Sequence, residues 1–105
     1  MSEAAYTLAR YCVRPGHEEA FLATWRELAG VFRTLPEPPS WGTLVQSASD
    51  PAVYYSFGPW RDPAHVRAMR EAPEAQAAFD RVAAHCEVIE PGDYKLVEHV
   101  QVRPA

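Results

Sequence analysis

Breaks at Pro15-Gly16, Leu35–Ser40, Asp50-Pro51, Gly58-Pro59, Pro73 and Pro91-Gly92 divide this sequence into runs that switch between strand and helix periodicity. That switching constrains the fold more than any other feature. Ala5 to Val13 alternates, with Tyr6, Leu8, Arg10 and Cys12 on one face and Thr7, Ala9, Tyr11 and Val13 on the other, as a strand does. From about His17 to Thr34 the apolar residues Phe21, Trp25, Leu28 and Phe32 recur at helical spacing, and Glu18 and Glu19 suit the first turn. Leu35-Pro36-Glu37-Pro38-Pro39-Ser40 cannot continue a helix and reads as a stiff loop.

Trp41 to Ser47 and Val53 to Phe57 are the next two strands, close enough in sequence to pair as an antiparallel hairpin. The second of them is predicted to stop at Gly58-Pro59 and to place Trp60 at its exit. A helix then starts with Asp62 as N-cap and Pro63 at its first position, and runs to about Ala72. Pro73 restarts a helix with the stripe Ala75, Ala78, Phe79, Val82 and Cys86. Pro91-Gly92-Asp93 is expected to break the chain before a last strand from Tyr94 to Val102, and Arg103-Pro104-Ala105 is a tail.

The order β-α-β-β-α(α)-β defines an α+β fold, the split βαβ pattern of a ferredoxin-like sandwich, within one domain spanning residues 1–105. Helices cover only one face of such a sheet. Both faces nevertheless carry apolar residues: Tyr94 and Leu96 with Val97, Leu44 with Val45, Tyr54 with Tyr55. A homodimer whose sheets pack face to face would cover the second face. A chain of 105 residues buries about 65% of its unfolded surface, so a dimer interface would add to a modest core.

A net charge of −4 excludes the basic stripe of a nucleic-acid binder. Among the ten basic residues only Lys95 is a lysine. Met1-Ser2-Glu3 is acidic, and no apolar run approaches the ~20 residues of a membrane span, so a cytoplasmic protein that binds no membrane is expected. Cys12 and Cys86 fall on different elements without metal spacing and read as reduced, buried thiols. No pair among the histidines stands at ligand spacing with a carboxylate, so no metal site is expected. The sequence also has no phosphate-cradling glycine loop and no nucleophile elbow.

Trp60 either caps the core at the strand end or stacks on a flat aromatic ligand. Tyr54 and Tyr55 point to opposite faces, so at most one enters a given pocket. His65 sits early in the helix after Trp60; facing solvent it is inert, and facing a cavity it could abstract a proton from a phenol or anthrone carbon. Arg10 interrupts an apolar strand face. It needs a carboxylate partner, for which Glu98 is the candidate, or else it orients an anionic ligand.

Arg14-Pro15-Gly16-His17-Glu18-Glu19-Ala20-Phe21, Trp25, the Asp50-Pro51 turn, Phe57-Gly58-Pro59-Trp60 and Pro91-Gly92-Asp93-Tyr94 together resemble the antibiotic biosynthesis monooxygenase superfamily, the dimeric α/β-barrel group. The resemblance spans about Tyr6 to Val102. It implies a homodimeric α/β barrel with a small pocket between sheet and helices in each subunit. Some members oxidise aromatic polyketides or quinols with O2 and without metal or flavin, and some degrade haem. In the cofactor-independent oxygenases the tryptophan matched by Trp60 works with an asparagine four residues earlier, where this chain has Ser56. It also works with a tyrosine six residues later, where this chain has Val66, and with a helical arginine that has no clear counterpart here, although Arg70 and Arg81 lie in the same helical region. The haem-degrading branch departs further: its strand asparagine corresponds to Arg10, its second tryptophan to Met69 and its ligand histidine to Phe79.

The expected function is therefore a cofactor-independent monooxygenase acting with O2 on an aromatic or quinol-type small molecule. Trp60 and His65 are the catalytic candidates, and Arg10, Tyr54, Tyr55, Ser56, Val66 and Met69 are the substrate-binding candidates. Such chemistry asks only that an easily oxidised substrate be bound, deprotonated and held as its anion in a dry cavity. A non-catalytic small-molecule-binding dimer that uses the same cavity is the alternative, and a detoxification dimer with another reaction is a third.

Overall fold

The computed structural model describes residues 5–104, so the Met1-Ser2-Glu3 start and the terminal Ala105 lie outside the described residues. The elements are β1 (Ala5–Val13), α1 (Glu18–Phe32), β2 (Thr43–Gln46), β3 (Val53–Trp60), α2 (Pro63–Glu71), α3 (Pro73–Ala83) and β4 (Cys86–Lys95). The strands form one antiparallel sheet in the order β2-β3-β1-β4. This is the α+β ferredoxin-like arrangement expected from the element order.

Local chemistry accounts for the joints. Gly16 supplies the positive φ of 84° that turns the chain out of β1. The Asp62 carboxylate accepts from the Ala64 N–H at 2.7 Å and caps α2, with Pro63 in its first turn. Ala72 is extended, at φ −70° and ψ 123°, because Pro73 forbids it a helical conformation, and so α2 and α3 separate.

The helices pack on the sheet face that carries Ala9, Tyr11 and Val13. There Phe21 and Leu28 of α1 and Ala78 and Val82 of α3 close the main core with Tyr54 and Cys86. A second cluster joins Ala5 and Trp60 to Val66, Met69 and Ala75. No helix among the described residues covers the opposite sheet face; Trp41 and residues 96–98 reach only its margin beside Tyr6 and Phe57, and Val45, Tyr55, Val88 and Tyr94 are exposed on it. Cys86 is buried and Cys12 half-buried, both as free thiols.

Three boundaries differ from the sequence expectation. β3 runs through Gly58-Pro59 to Trp60. The β2 pairing ends at Phe57, so beyond it β3 has a free edge where a proline's missing N–H costs no ladder bond. β4 begins at Cys86, directly after α3, and ends at Lys95. Pro91-Gly92-Asp93 therefore lies inside a strand, which an edge strand tolerates. The strand expected from Tyr94 to Val102 is absent: after Lys95 the chain forms no strand, and Val97, Val100 and Val102 are exposed. Arg10 accordingly pairs with Glu90, its direct cross-strand partner, at 3.1 Å, and not with Glu98.

Candidate functional site

A cavity of about 460 Å³ opens between the inner sheet face and α1. Thr7, Ala9 and Tyr11 of β1 and Ser56, Gly58 and Trp60 of β3 form its floor, and Trp25, Leu28 and Phe32 of α1 form one wall. Met69 and Arg70 of α2 and Phe79 of α3 close another side. Pro38 to Ser40 of the proline-rich loop roof it together with Trp41 and Gly42, which the sequence predicts to open the second strand but which precede β2. A β-carbon on Gly58 would lie 2.5 Å from the Trp41 carbonyl oxygen, so glycine is required where roof meets floor.

The aromatic rings interlock. Phe32 meets Trp60 edge-on, with centroids 5.6 Å apart, and meets Phe79 at 6.0 Å; the Trp41 ring reaches past the sheet edge to meet Tyr6 at 6.4 Å and Phe57 at 6.2 Å on the opposite face. Trp60 is only 1% exposed, and its indole N–H donates to Thr7 Oγ1 at 3.0 Å. Tyr11 Oη and Ser56 Oγ are 2.7 Å apart. Burial pushes the Tyr11 phenol above its ordinary range, against contacts from Ser56 and Trp25 that favour its anion. The phenol is therefore a neutral hydrogen-bonding group at physiological pH.

The charged residues of the lining are Arg33 and Arg70; it contains no carboxylate and no imidazole. Arg70 is bound to Asp93 of β4 at the cavity margin. The cavity is thus apolar and aromatic, with hydroxyls on its floor and an electropositive rim, a composition suited to a flat anionic or oxygen-rich ligand.

Of the residues singled out in the sequence, Trp60, Ser56 and Met69 come together in this lining. The other five lie elsewhere. Tyr54 is buried in the main core, where its hydroxyl accepts from Gln46 Nε2 at 3.1 Å. Tyr55 and Arg10 lie on the uncovered sheet face, paired directly across β3 and β1. Val66 is buried in the second core cluster, and His65 is half-buried on α2 outside the cavity lining. Thr7 and Tyr11 also line the cavity, and the strand alternation places them on its face without marking them as site residues. Only the β1–β3 register, which sets Thr7 opposite Gly58 and Ala9 opposite Ser56, reveals their neighbours. Away from the cavity, His17 and His85 meet with Nδ1 atoms 3.1 Å apart. Among the described residues no three His, Cys, Asp or Glu side chains gather as metal ligands, and no helix is long and apolar enough to cross a membrane.

Comparison with known proteins agrees with this architecture. No curated protein matches the sequence significantly. Among solved structures the chain is similar to SnoaB, a cofactor-independent oxygenase from Streptomyces nogalater, at 17% identity and a TM-score of 0.82, covering 94% of this chain and 98% of that one. It is also similar to a conserved protein from Methanosarcina mazei at 14% identity and a TM-score of 0.78, covering 88% and 91% of the two chains. A protein of Mycobacterium tuberculosis matches at 15% identity and a TM-score of 0.78, over 93% of this chain and 99% of that one. At these identities the likeness is one of fold. The family profile described as antibiotic biosynthesis monooxygenase matches residues 5–81, which takes in β1 to most of α3 and nearly all of the cavity lining, and the chain belongs to that family.

Proposed function

We propose that this protein is a cofactor-independent oxygenase that acts on an aromatic, quinol-type small molecule with O2, as a cytoplasmic homodimer. One observation carries this reading: the cavity combines aromatic walls with Arg33 and Arg70 and has no carboxylate in its lining. Such a site favours the deprotonated form of an acidic phenol or anthrone over the neutral form. The anion passes one electron to O2, the resulting radical pair joins at carbon as a peroxide anion that takes a proton back from water, and loss of water from this hydroperoxide leaves a carbonyl. One CH2 and one O2 thus become one C=O and one H2O. Arg70 and the floor hydroxyls hold the anion, and Trp60 fixes the floor.

In this scheme His65, which is not among the lining residues, takes no part, and the substrate proton leaves to water. The uncovered apolar sheet face supports the homodimer, in which two such faces cover one another. The same lack of an imidazole or carboxylate in the lining favours a second reading, a dimer that binds an aromatic metabolite without turning it over.

O2 uptake by the metal-stripped protein against anthrones, dihydroxynaphthalenes and quinols separates the two. Protein-dependent uptake that drops in Trp60→Phe supports the oxygenase. Tight binding without uptake assigns the cavity to binding alone.

A further inference from the structure

The two hydroxyls on the cavity floor are each backed by a donor, and this fixes what they can offer a ligand. An indole N–H can only donate, so the Thr7 oxygen accepts from Trp60 at 3.0 Å and its own proton is left for another acceptor. Tyr11 Oη and Ser56 Oγ lie 2.7 Å apart; a phenol is a stronger donor than an aliphatic hydroxyl, so Tyr11 donates to Ser56 and the Ser56 proton is turned outward in the same way. Both hydroxyls line the cavity. Thr7 is opposite Gly58 and Ser56 opposite Ala9, so the two are diagonal neighbours on one sheet face, about 7 Å apart. Each reaches an acceptor about 2.8 Å away, and together they bracket the two edges of a single six-membered ring.

We propose that Thr7 and Ser56 form a two-point donor edge that selects flat ligands with carbonyl or oxyanion oxygens on opposite sides of a ring, and that Trp60 acts on the ligand through Thr7. This rests on the reading of the cavity as a small-molecule site. It makes Thr7 and Ser56 specificity-determining residues, and Trp60 and Tyr11 positioning residues that hold the hydroxyls in their outward-donating sense. Because the indole N–H of Trp60 is taken up by Thr7, the Thr7 hydroxyl stands in for it at the ligand.

The test compares two probes of equal outline and charge, anthraquinone-2-sulfonate with two ring carbonyls and anthracene-2-sulfonate with none, titrated by fluorescence. The wild-type protein should bind the quinone about tenfold more tightly, the worth of two neutral hydrogen bonds at a net gain of about 0.7 kcal/mol each. Ser56→Ala and Thr7→Val should each remove about threefold of that preference and leave anthracene-2-sulfonate affinity within twofold. Thr7→Ser, which keeps the hydroxyl, should restore it. A Trp60→Phe variant should lose preference as well, because its Thr7 hydroxyl is free to rotate. Should Thr7→Val fail to fold, Ser56→Ala and Thr7→Ser carry the comparison, since neither strands the indole N–H. Equal binding of both probes by the wild type, or a preference untouched in the variants, overturns the donor edge while the aromatic cavity stands. Binding of neither probe overturns the reading of the cavity itself, and the donor edge with it.

Discussion

Trp60 reaches across the β3–β1 ladder to Thr7, its indole N–H 3.0 Å from the hydroxyl oxygen and its ring almost wholly buried. This cross-strand bond joins the floor of the cavity to the second core cluster. Thr7→Val keeps the shape but strands a buried N–H, at a cost of about 1–3 kcal/mol in unfolding free energy. Thr7→Ser should cost less than 1 kcal/mol. Urea denaturation of the two variants measures the difference, and equal losses would show that the bond contributes nothing.

Gly58 governs the roof. An added β-carbon would stand 2.5 Å from the Trp41 carbonyl oxygen, a backbone atom that cannot rotate away. Gly58→Ala is expected to cost about 1–3 kcal/mol and to push the 38–42 segment off the cavity. Ligand affinity or turnover should then fall more than stability does. Gly42→Ala is the control, because a β-carbon there meets nothing within 4 Å.

Arg70 is held at the cavity margin by Asp93, and both side chains are partly solvated, so the pair adds less than about 1 kcal/mol to stability. Its importance is for charge. Arg70→Gln should weaken binding of anionic aromatics several-fold with little change in melting temperature, whereas Asp93→Asn releases the guanidinium and should strengthen it. The ratio of affinities for a sulfonated and an unsulfonated anthracene gives the sign directly. An unchanged ratio in both variants would remove Arg70 from the site.

Most of the fold was legible in the sequence because it is written in local rules. Period-2 alternation marked β1 to the residue, and the Asp62-Pro63 cap fixed the start of α2. The departures fall where a proline inside a strand mimics a stop. Pro91 lies in the edge strand β4 and Pro59 beyond the end of the β2 pairing, which only the strand order and register disclose. The site was legible in part for the same reason. Trp60, Ser56 and Met69 were found from position along the chain, but Thr7 and Tyr11 are separated from Trp60 and Ser56 by 53 and 45 residues. Contacts at that range follow from register, which a single sequence leaves open.

Burial pushes the Cys86 thiol up to about 11 from an ordinary 9. In the unfolded chain the thiol ionises near pH 9, whereas in the folded protein it keeps its proton to higher pH. Its contribution is therefore fully present below pH 9 and is lost as the pH rises through about 11. Unfolding free energy measured from pH 8 to 11 should decline, and Cys86→Ala, less stable at pH 8, should show a shallower decline. Reaction of Cys86 with a disulfide reagent at pH 8 should wait on unfolding. Immediate labelling in the native protein would contradict this placement.

The uncovered sheet face yields the last prediction. Val45, Tyr55, Val88 and Tyr94 are exposed there, on the face opposite the helices, with the half-buried Leu8 and Phe57 between them. A patch of this kind on all four strands would promote association of a monomer, and two copies facing one another remove both patches from water at once. Light scattering at micromolar concentration should therefore give twice the chain mass of 11.8 kDa. Tyr55 lies at the centre of the face and pairs with Arg10 across the ladder. Tyr55→Arg puts a second cation beside the first and repeats the clash across the two-fold axis, and should yield the monomer. The cavity lies on the other face of the sheet, so a monomeric variant that still binds anthraquinone-2-sulfonate would show that each subunit holds a complete site. Loss of binding together with the dimer would show that the two faces are coupled through the strands they share. A wild-type mass of 11.8 kDa would rule out the face-to-face assembly.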